Sequence, residues 1–255
     1  MYRGLGRLPG KRFMLGMPMS ARMDDNRLLA ALPAETYRDL LIHLETVSLK
    51  LSEVLYRPGE KTRYVYFPRN GVVSLLSRGD GMDSFEVAMV GNEGLLGVPV
   101  YLGVPTPCIT AMVRSPGSAM RMEARAFYRY SQHDETLRKL LARYTHALLA
   151  EISQLSACHR FHTVGMRFAR WLLTTQDRLQ SNCFTNTQNL IAQRLGVRRS
   201  GVSVAAYALQ QRNLIHYARG NITIVNRRGL KAACCPCYNI IAAQTLSPQI
   251  ELGDS

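Results

Sequence analysis

Residues 187–212 read TQNLIAQRLGVRRSGVSVAAYALQQR, and this stretch decides the fold of the C-terminal third of the chain. Thr187 has the side chain to cap a helix, which the pattern then carries from Gln188 to Leu195. Gly196 permits a sharp turn and Val197 plugs it. A second helix starts near Arg198 or Arg199. Two helices crossing on such a turn need apolar residues at their contact and a small residue at the crossing. Ile191, Leu195, Val197, Val202 and Ala205 fill the apolar places, and Ala192 supplies the small one. The stretch is therefore read as a helix-turn-helix, with any helical hairpin on a glycine turn as the plainer alternative.

Downstream, Leu214-Ile215-His216-Tyr217 and Ile222-Thr223-Ile224-Val225 alternate like strands, and Ala218-Arg219-Gly220-Asn221 supplies the turn. A hairpin directly after the second helix is a wing, and Arg219 at its tip would face a phosphate backbone. Upstream, Gly165 to Arg178 reads as a helix burying Trp171, Leu172 and Leu173. From Gly165 to Cys237 there are eleven basic residues: Arg167, Arg170, Arg178, Arg194, Arg198, Arg199, Arg212, Arg219, Arg227, Arg228 and Lys231. Against the single acid Asp177 they give this stretch +10 of the chain's net +14. Such a cationic third beside a nearly balanced remainder is the footprint of a polyanion partner, or else a solvated basic face. Arginine, which pairs bidentately with phosphates and base edges, favours the first.

Further upstream the texture changes. Between Val54 and Met122, short runs recur at Val65-Tyr66-Phe67, Val72 to Leu76, Phe85 to Val90, Ile109 to Val113 and Ala119 to Met122. Turn signals separate them at Pro58-Gly59, Asn70-Gly71, Gly79-Asp80-Gly81, Gly91-Asn92-Glu93-Gly94 and Pro116-Gly117. This spacing predicts an antiparallel barrel or jelly roll. None of the six histidines lies on these runs, which argues against a cupin-like metal enzyme. Leu28 to Leu44 reads as a short amphipathic helix with a turn at Leu32-Pro33-Ala34-Glu35. His133 to His162 reads as a long helix. On it Leu137, Leu141, Tyr144, Leu148 and Leu155 follow coiled-coil spacing, with the polar Glu151 in one seam position. That stripe is either a dimer seam, the reading taken here, or the face of a helix lying on its own barrel.

The 255 residues suffice for two ordinary domains, and the 47% apolar and 20% charged content is globular. No run approaches a membrane span, and Phe13 to Met19, broken by Gly16 and Pro18, is too short for a signal-peptide core. A cytoplasmic protein with no membrane partner is expected, with its six cysteines reduced. Cys234-Cys235-Pro236-Cys237 puts three thiols in four residues, either for metal or redox or as a small apolar helix end. Cys158, His159 and His162 are either ligands or a polar hinge. Each group lacks a partner cluster nearby, so neither metal nor cofactor is expected. Asp80 and Asp83 are turn residues. No nucleophile–base pair or phosphate loop appears, so no catalytic residue and no enzyme are expected.

Taken in order, barrel, long helix, residues 187–197 and the segment LQQRNLIHYARGNITIV from Leu209 to Val225, the chain resembles the Crp/Fnr family of bacterial transcription regulators. RFARWLLTTQDRL, Arg167 to Leu179, is also similar to the family. The resemblance covers Leu28 to Tyr238. It implies an α+β fold: a cyclic-nucleotide-binding-type barrel, a homodimer and a recognition helix in the major groove. The corresponding domains are a disordered basic tail 1–27, a barrel 28–132, a dimerisation helix and hinge 133–164, a winged helix-turn-helix 165–238 and a flexible tail 239–255. Double-stranded DNA, a second copy and RNA polymerase are the implied partners. Thr187, Arg198, Arg199, Ser200, Ser203, Val204 and Arg219 are the implied DNA-binding residues. In the family Arg199 falls on an arginine that reads guanine, whereas Ser200 replaces an acidic residue and Val204 a second arginine. Cyclic-AMP-binding members carry a Gly-Glu-Leu step and an Arg-Ser-Ala step in the barrel. Here these are Gly97-Val98-Pro99 and Ile109-Thr110-Ala111, which lack the ribose and phosphate partners. An effector other than cyclic AMP is expected, its identity open. The N-terminal cysteines that hold an iron–sulfur cluster in oxygen-sensing members are absent before Cys108.

Overall fold

Asn26 anchors the start of the chain as the computed structural model describes it, over residues 26–78 and 84–246. Its Oδ1 accepts from the Leu29 amide and so caps α1 (Arg27–Ala30). Its Nδ2 donates to the carbonyls of Pro68 and Gly94 at 2.9 and 2.7 Å. Asn26 and Arg27, expected in the basic tail, are thus part of the folded domain, while residues 1–25 of that tail lie outside the described residues. So does the Gly79-Asp80-Gly81 turn with Asp83. The single helix expected over Leu28 to Leu44 is two, because Pro33 separates α1 from α2 (Ala34–Leu41).

Five strands follow among the described residues: β1 (Glu45–Leu49), β2 (Val54–Tyr56), β3 (Tyr64–Arg78), β4 (Ser84–Val90) and, after the short helix α3 (Val98–Tyr101), β5 (Thr110–Glu123). They pair antiparallel in the order β1-β5-β3-β4, with β2 also on β5, and bend into a barrel-like jelly roll. Two expected turns are instead corners within long strands. Asn70-Gly71 and Pro116-Gly117 sit opposite each other on β3 and β5, where the register slips between Pro68 and Val73. Asn70 Oδ1 accepts from the Ser118 amide at 2.6 Å across the corner. Gly71 has φ +85°, and a Cβ there would come within 2.7 Å of the Ser115 carbonyl. The strands therefore bulge and continue.

α4 (Ala124–His133) leads into α5 (Glu135–Phe161), whose start is capped by Asp134 Oδ1 accepting from the Leu137 amide at 2.7 Å. The expected dimer seam on this helix faces the chain's own barrel. Leu137 and Leu141 are fully buried with Leu40, Phe67 and Phe127, and Tyr144 and Leu148 pack on the same cluster. The Tyr144 hydroxyl donates to the Leu95 carbonyl at 3.0 Å. Leu155 is buried as well. The coiled-coil spacing is real, but it serves intramolecular packing. Glu151, the polar break in that stripe, accepts from Arg178 Nη2 at 2.8 Å.

The C-terminal part comprises α6 (Val164–Leu179), β6 (Cys183–Thr185), α7 (Gln188–Leu195), α8 (Arg199–Gln211), β7 (Ile215–Ala218), β8 (Asn221–Ile224), α9 (Arg227–Ala233) and α10 (Cys237–Leu246). Strands β6, β8 and β7 form a small antiparallel sheet. Phe168, Trp171, Leu172 and Leu173 of α6 form its core with Ile191, Val202 and Leu209, and Val72 and Met89 of the barrel join the same cluster. Two buried arginines tie the parts together through three ion pairs. Arg178 Nε pairs with Glu93 at 2.7 Å and its Nη2 with Glu151 at 2.8 Å, joining α6 to the loop after β4 and to α5. Arg194 of α7 reaches Glu86 of β4 at 3.6 Å, and its guanidinium lies 5.0 Å above the Trp171 ring. The tail expected to be flexible from 239 is helical as far as Leu246 and packs along α5.

Candidate nucleic-acid interface

α7 begins as the sequence predicts. Thr187 has extended backbone angles, and its hydroxyl accepts from the Leu190 amide at 3.3 Å. Gly196 takes φ +60°, and the Val197 amide closes the turn on the Ala192 carbonyl at 3.0 Å. Ile191, Leu195, Val202 and Ala205 are buried, with Ala192 at the crossing. This packing presents the N-terminal end of α8 to solvent: Arg198, Arg199 and Ser200 are all exposed.

The wing is held against that end. Arg219 (φ +49°) and Gly220 (φ +84°) make the two-residue turn between β7 and β8, the left-handed pair that suits a hairpin. The Tyr217 hydroxyl donates to the Asn186 carbonyl at 2.7 Å, and the Asn186 amide donates to the Gly220 carbonyl at 2.7 Å. Gln210 Oε1 accepts from the Tyr217 amide at 2.8 Å, which fixes α8 to β7. Burial raises the Tyr217 phenol above its ordinary range, against the pull of nearby Arg199.

A groove runs between α7, α8 and the wing, lined by Thr187, Asn189, Arg199, Ser203, Tyr207 and Arg219. Four of the seven residues named from the sequence therefore come together on it. Ser203 is already engaged: its hydroxyl lies 2.7 Å from Gln188 Oε1 and 3.2 Å from the Arg199 carbonyl. Arg198, Ser200 and Val204 do not line the groove but are exposed beside it, Val204 at 71%. Sequence reasoning missed Tyr207 and Asn189. Tyr207 stands one helical turn beyond Ser203 and is 63% exposed, so the helix period alone would have found it.

The eleven basic residues divide in two. Arg167, Arg170, Arg178 and Arg194 are buried. Arg167 Nη1 donates to the Leu195 carbonyl at 3.0 Å, closing the end of α7, and burial lowers Arg167 and Arg194 from the ordinary arginine range. Arg227 pairs with Asp177 at 2.7 Å. The charge left for a polyanion is carried by exposed residues that include Arg198, Arg199, Arg212, Arg219, Arg228 and Lys231.

The two thiol-bearing groups that looked separate in sequence meet in the fold. Cys158, His162, Cys235 and Cys237 offer ligand atoms all within 4.8 Å of one another. The expectation of no metal ligand set rested on their separation along the chain, which folding removes.

Residues 166–233 match the family model of the Crp-like helix-turn-helix domain. No curated protein matches the chain in sequence. Among solved structures, a transcriptional regulator of the Crp/Fnr family from Eubacterium rectale is similar with TM-score 0.64 at 14% identity, covering 81% of this chain and 96% of that one. A CRP-family transcriptional regulator from Thermus thermophilus gives TM-score 0.62 at 20% identity over 73% of this chain and 95% of that one. The c-di-GMP responsive global regulator CLP of Xanthomonas campestris gives 0.61 at 15% identity over 75% and 99%. At these identities the likeness is one of fold.

Proposed function

We infer that this chain, which belongs to the Crp/Fnr family by its Crp-like helix-turn-helix domain and its fold, is a sequence-specific DNA-binding transcription regulator that acts as a homodimer on a two-fold operator. The observation that carries the reading is the exposed N-terminal end of α8 flanked by Arg219 on the wing and Thr187 at the start of α7. α8 enters the major groove. Arg199 reads a base edge, Ser200 and Val204 contact neighbouring positions, and Ser203 serves mainly to hold Gln188. Thr187, Arg198 and Arg219 contact phosphates, which supply affinity without sequence preference. The functional units are the barrel, the long helix and the winged domain. RNA polymerase is the expected further partner. The protein works in the cytoplasm, a reading to which one fact adds: no helix among the described residues is long and apolar enough to cross a membrane.

Since the inner stripe of α5 is occupied, the dimer contact moves to the neighbouring face, about 100° round the helix, with Ile152 at the edge where it also packs on the barrel. Ala142, Thr145, Leu149, Ile152 and Ser156 again follow alternating three- and four-residue steps, and Leu149 is 60% exposed. The Thr145 and Ser156 hydroxyls bond the carbonyls of Leu141 and Ile152 on their own helix, so both can enter a dry seam without stranding a donor. One experiment tests operator and dimer together. Selection from randomised duplex DNA should enrich a two-fold site, and Leu149→Asp should sediment as a monomer and lose that site. Absence of enrichment would sink the DNA reading, and an unchanged dimer in Leu149→Asp would sink this seam.

The barrel does not respond to cyclic AMP. Val98 and Ile109 stand at the family's charged positions, and the interior is filled by apolar side chains including Tyr56, Leu75, Val113 and Leu96. A cyclic phosphate would find no charge-assisted bond there. Calorimetry should show no heat of binding at micromolar cyclic AMP; saturable binding in that range would overturn the assignment.

A further inference from the structure

Cys158 and His162 lie one turn apart at the C-terminal end of α5, and Cys235 and Cys237 flank Pro236 between α9 and α10. Cys158 Sγ is 3.5 Å from Cys235 Sγ, and Cys237 Sγ is 3.5 Å from His162 Nδ1. The three cysteines are fully buried and pack with Met166. Gln154 Nε2 donates to Cys237 Sγ at 3.1 Å, the kind of outer hydrogen bond that orients a metal-bound thiolate.

We propose that these four side chains form a tetrahedral Cys₃His site for a zinc ion. Four soft or borderline donors converging from two distant parts of the chain are the ligand set of a closed structural zinc site. Zinc–thiolate bonds of about 2.3 Å at tetrahedral angles place sulfurs about 3.8 Å apart, and the ligand atoms here already lie within 4.8 Å of one another. An iron–sulfur cluster spreads its four ligands over two or more irons, so ligands on different irons must stand further apart than these four do. Zinc with three thiolates and a neutral imidazole carries a net charge of about −1. Arg170 offsets it: the guanidinium is buried and its Nε has no hydrogen-bond partner. On binding, each thiol loses its proton to solvent and its sulfur lone pair forms the bond to zinc, with no change of oxidation state.

The ligands come from the two sides of the winged domain. Cys158 and His162 end the long helix just before α6, and Cys235 and Cys237 follow α9. A bound ion would staple the domain's exit to its entrance and fix its orientation on α5. The effect on DNA binding rests on the reading of α8 given above; uptake of the ion does not.

The full-length chain, purified with reductant, should contain about one zinc per chain. Cobalt(II) added to the stripped protein should give the visible bands of a tetrahedral ion with thiolate charge transfer. Cys235→Ser should lose the ion while Cys234→Ser and Cys183→Ser keep it. Cys237→His, which preserves a donor, should still bind one cobalt but with weaker thiolate absorption, separating ligation from misfolding. Failure of the reduced chain to take up zinc or cobalt would overturn the site. So would iron with acid-labile sulfide in its place, or retention of zinc by Cys235→Ser and unaltered cobalt bands in Cys237→His. On the selected operator, stripped protein should bind about tenfold more weakly than zinc-loaded protein. Equal affinities would overturn the coupling and leave the site standing.

Discussion

Arg178→Ala should destabilise the protein by about 3–5 kcal/mol, because it leaves two carboxylates buried without their cation. The arginine and both glutamates, Glu93 and Glu151, are only 6% exposed. Burial alone would lower the Arg178 pKa, but the two carboxylates outweigh it and hold the guanidinium firmly protonated. The ion triad is shielded from solvent, so added salt should rescue little of the loss. In a chain of this size the change corresponds to a drop in melting temperature of about 6–20 °C. Equilibrium urea unfolding gives the free energy directly. A second variant separates charge from packing: Arg178→Met combined with Glu93→Gln and Glu151→Gln removes all three charges and should recover most of the stability. If Arg178→Ala unfolds within about 1 kcal/mol of the parent protein, below the range for an abandoned buried pair, the winged domain is not seated on the barrel in solution as described.

Arg199→Ala should weaken operator binding by about 1–3 kcal/mol per half-site and relax preference at one symmetric base pair. For a dimer engaging two half-sites that is about 30-fold to 10⁴-fold in affinity. Arg199 lines the groove at the exposed start of α8. Arg219→Ala removes a charge from the wing tip. It should weaken all sequences about equally and lower the salt slope by about one unit per half-site. Repeating the randomised selection with both variants, and measuring affinity across salt concentrations, distinguishes the roles. Should Arg199→Ala keep the whole sequence preference while Arg219→Ala alters it, the docking of α8 is wrong.

What could be read from sequence was what local chemistry decides. Thr187, Gly196 and the Ala192 crossing specify α7, its turn and α8 within a few residues, and the structure reproduces those bounds. The hairpin at Arg219-Gly220 is equally local. Four features were not legible for a common reason: they depend on what lies across the fold. A left-handed glycine after asparagine serves a hairpin or a bulge, and only the partner strand makes Asn70-Gly71 a corner. The α5 stripe has the same period whether it meets a second chain or its own barrel, and Leu137 and Leu141 went to the barrel. Net charge counts arginines without regard to depth, so Arg167, Arg170, Arg178 and Arg194 entered the polyanion argument although they are interior. The cysteine–histidine cluster joins residues 77 positions apart, a distance no spacing rule spans.

Trp171 gives the molecule a built-in optical gauge. It is the only tryptophan in the chain, it is 1% exposed, and the Arg194 guanidinium above it also pairs with Glu86 on the barrel at 3.6 Å. A cation held over an indole alters the ring's excited state, and this cation is also paired with a carboxylate of the other half of the protein. Any event that lifts the winged domain off the barrel removes that carboxylate partner, and the fluorescence should change with it. The chain's intrinsic emission should thus read domain seating in real time, with no dye attached and no other indole to confuse the signal.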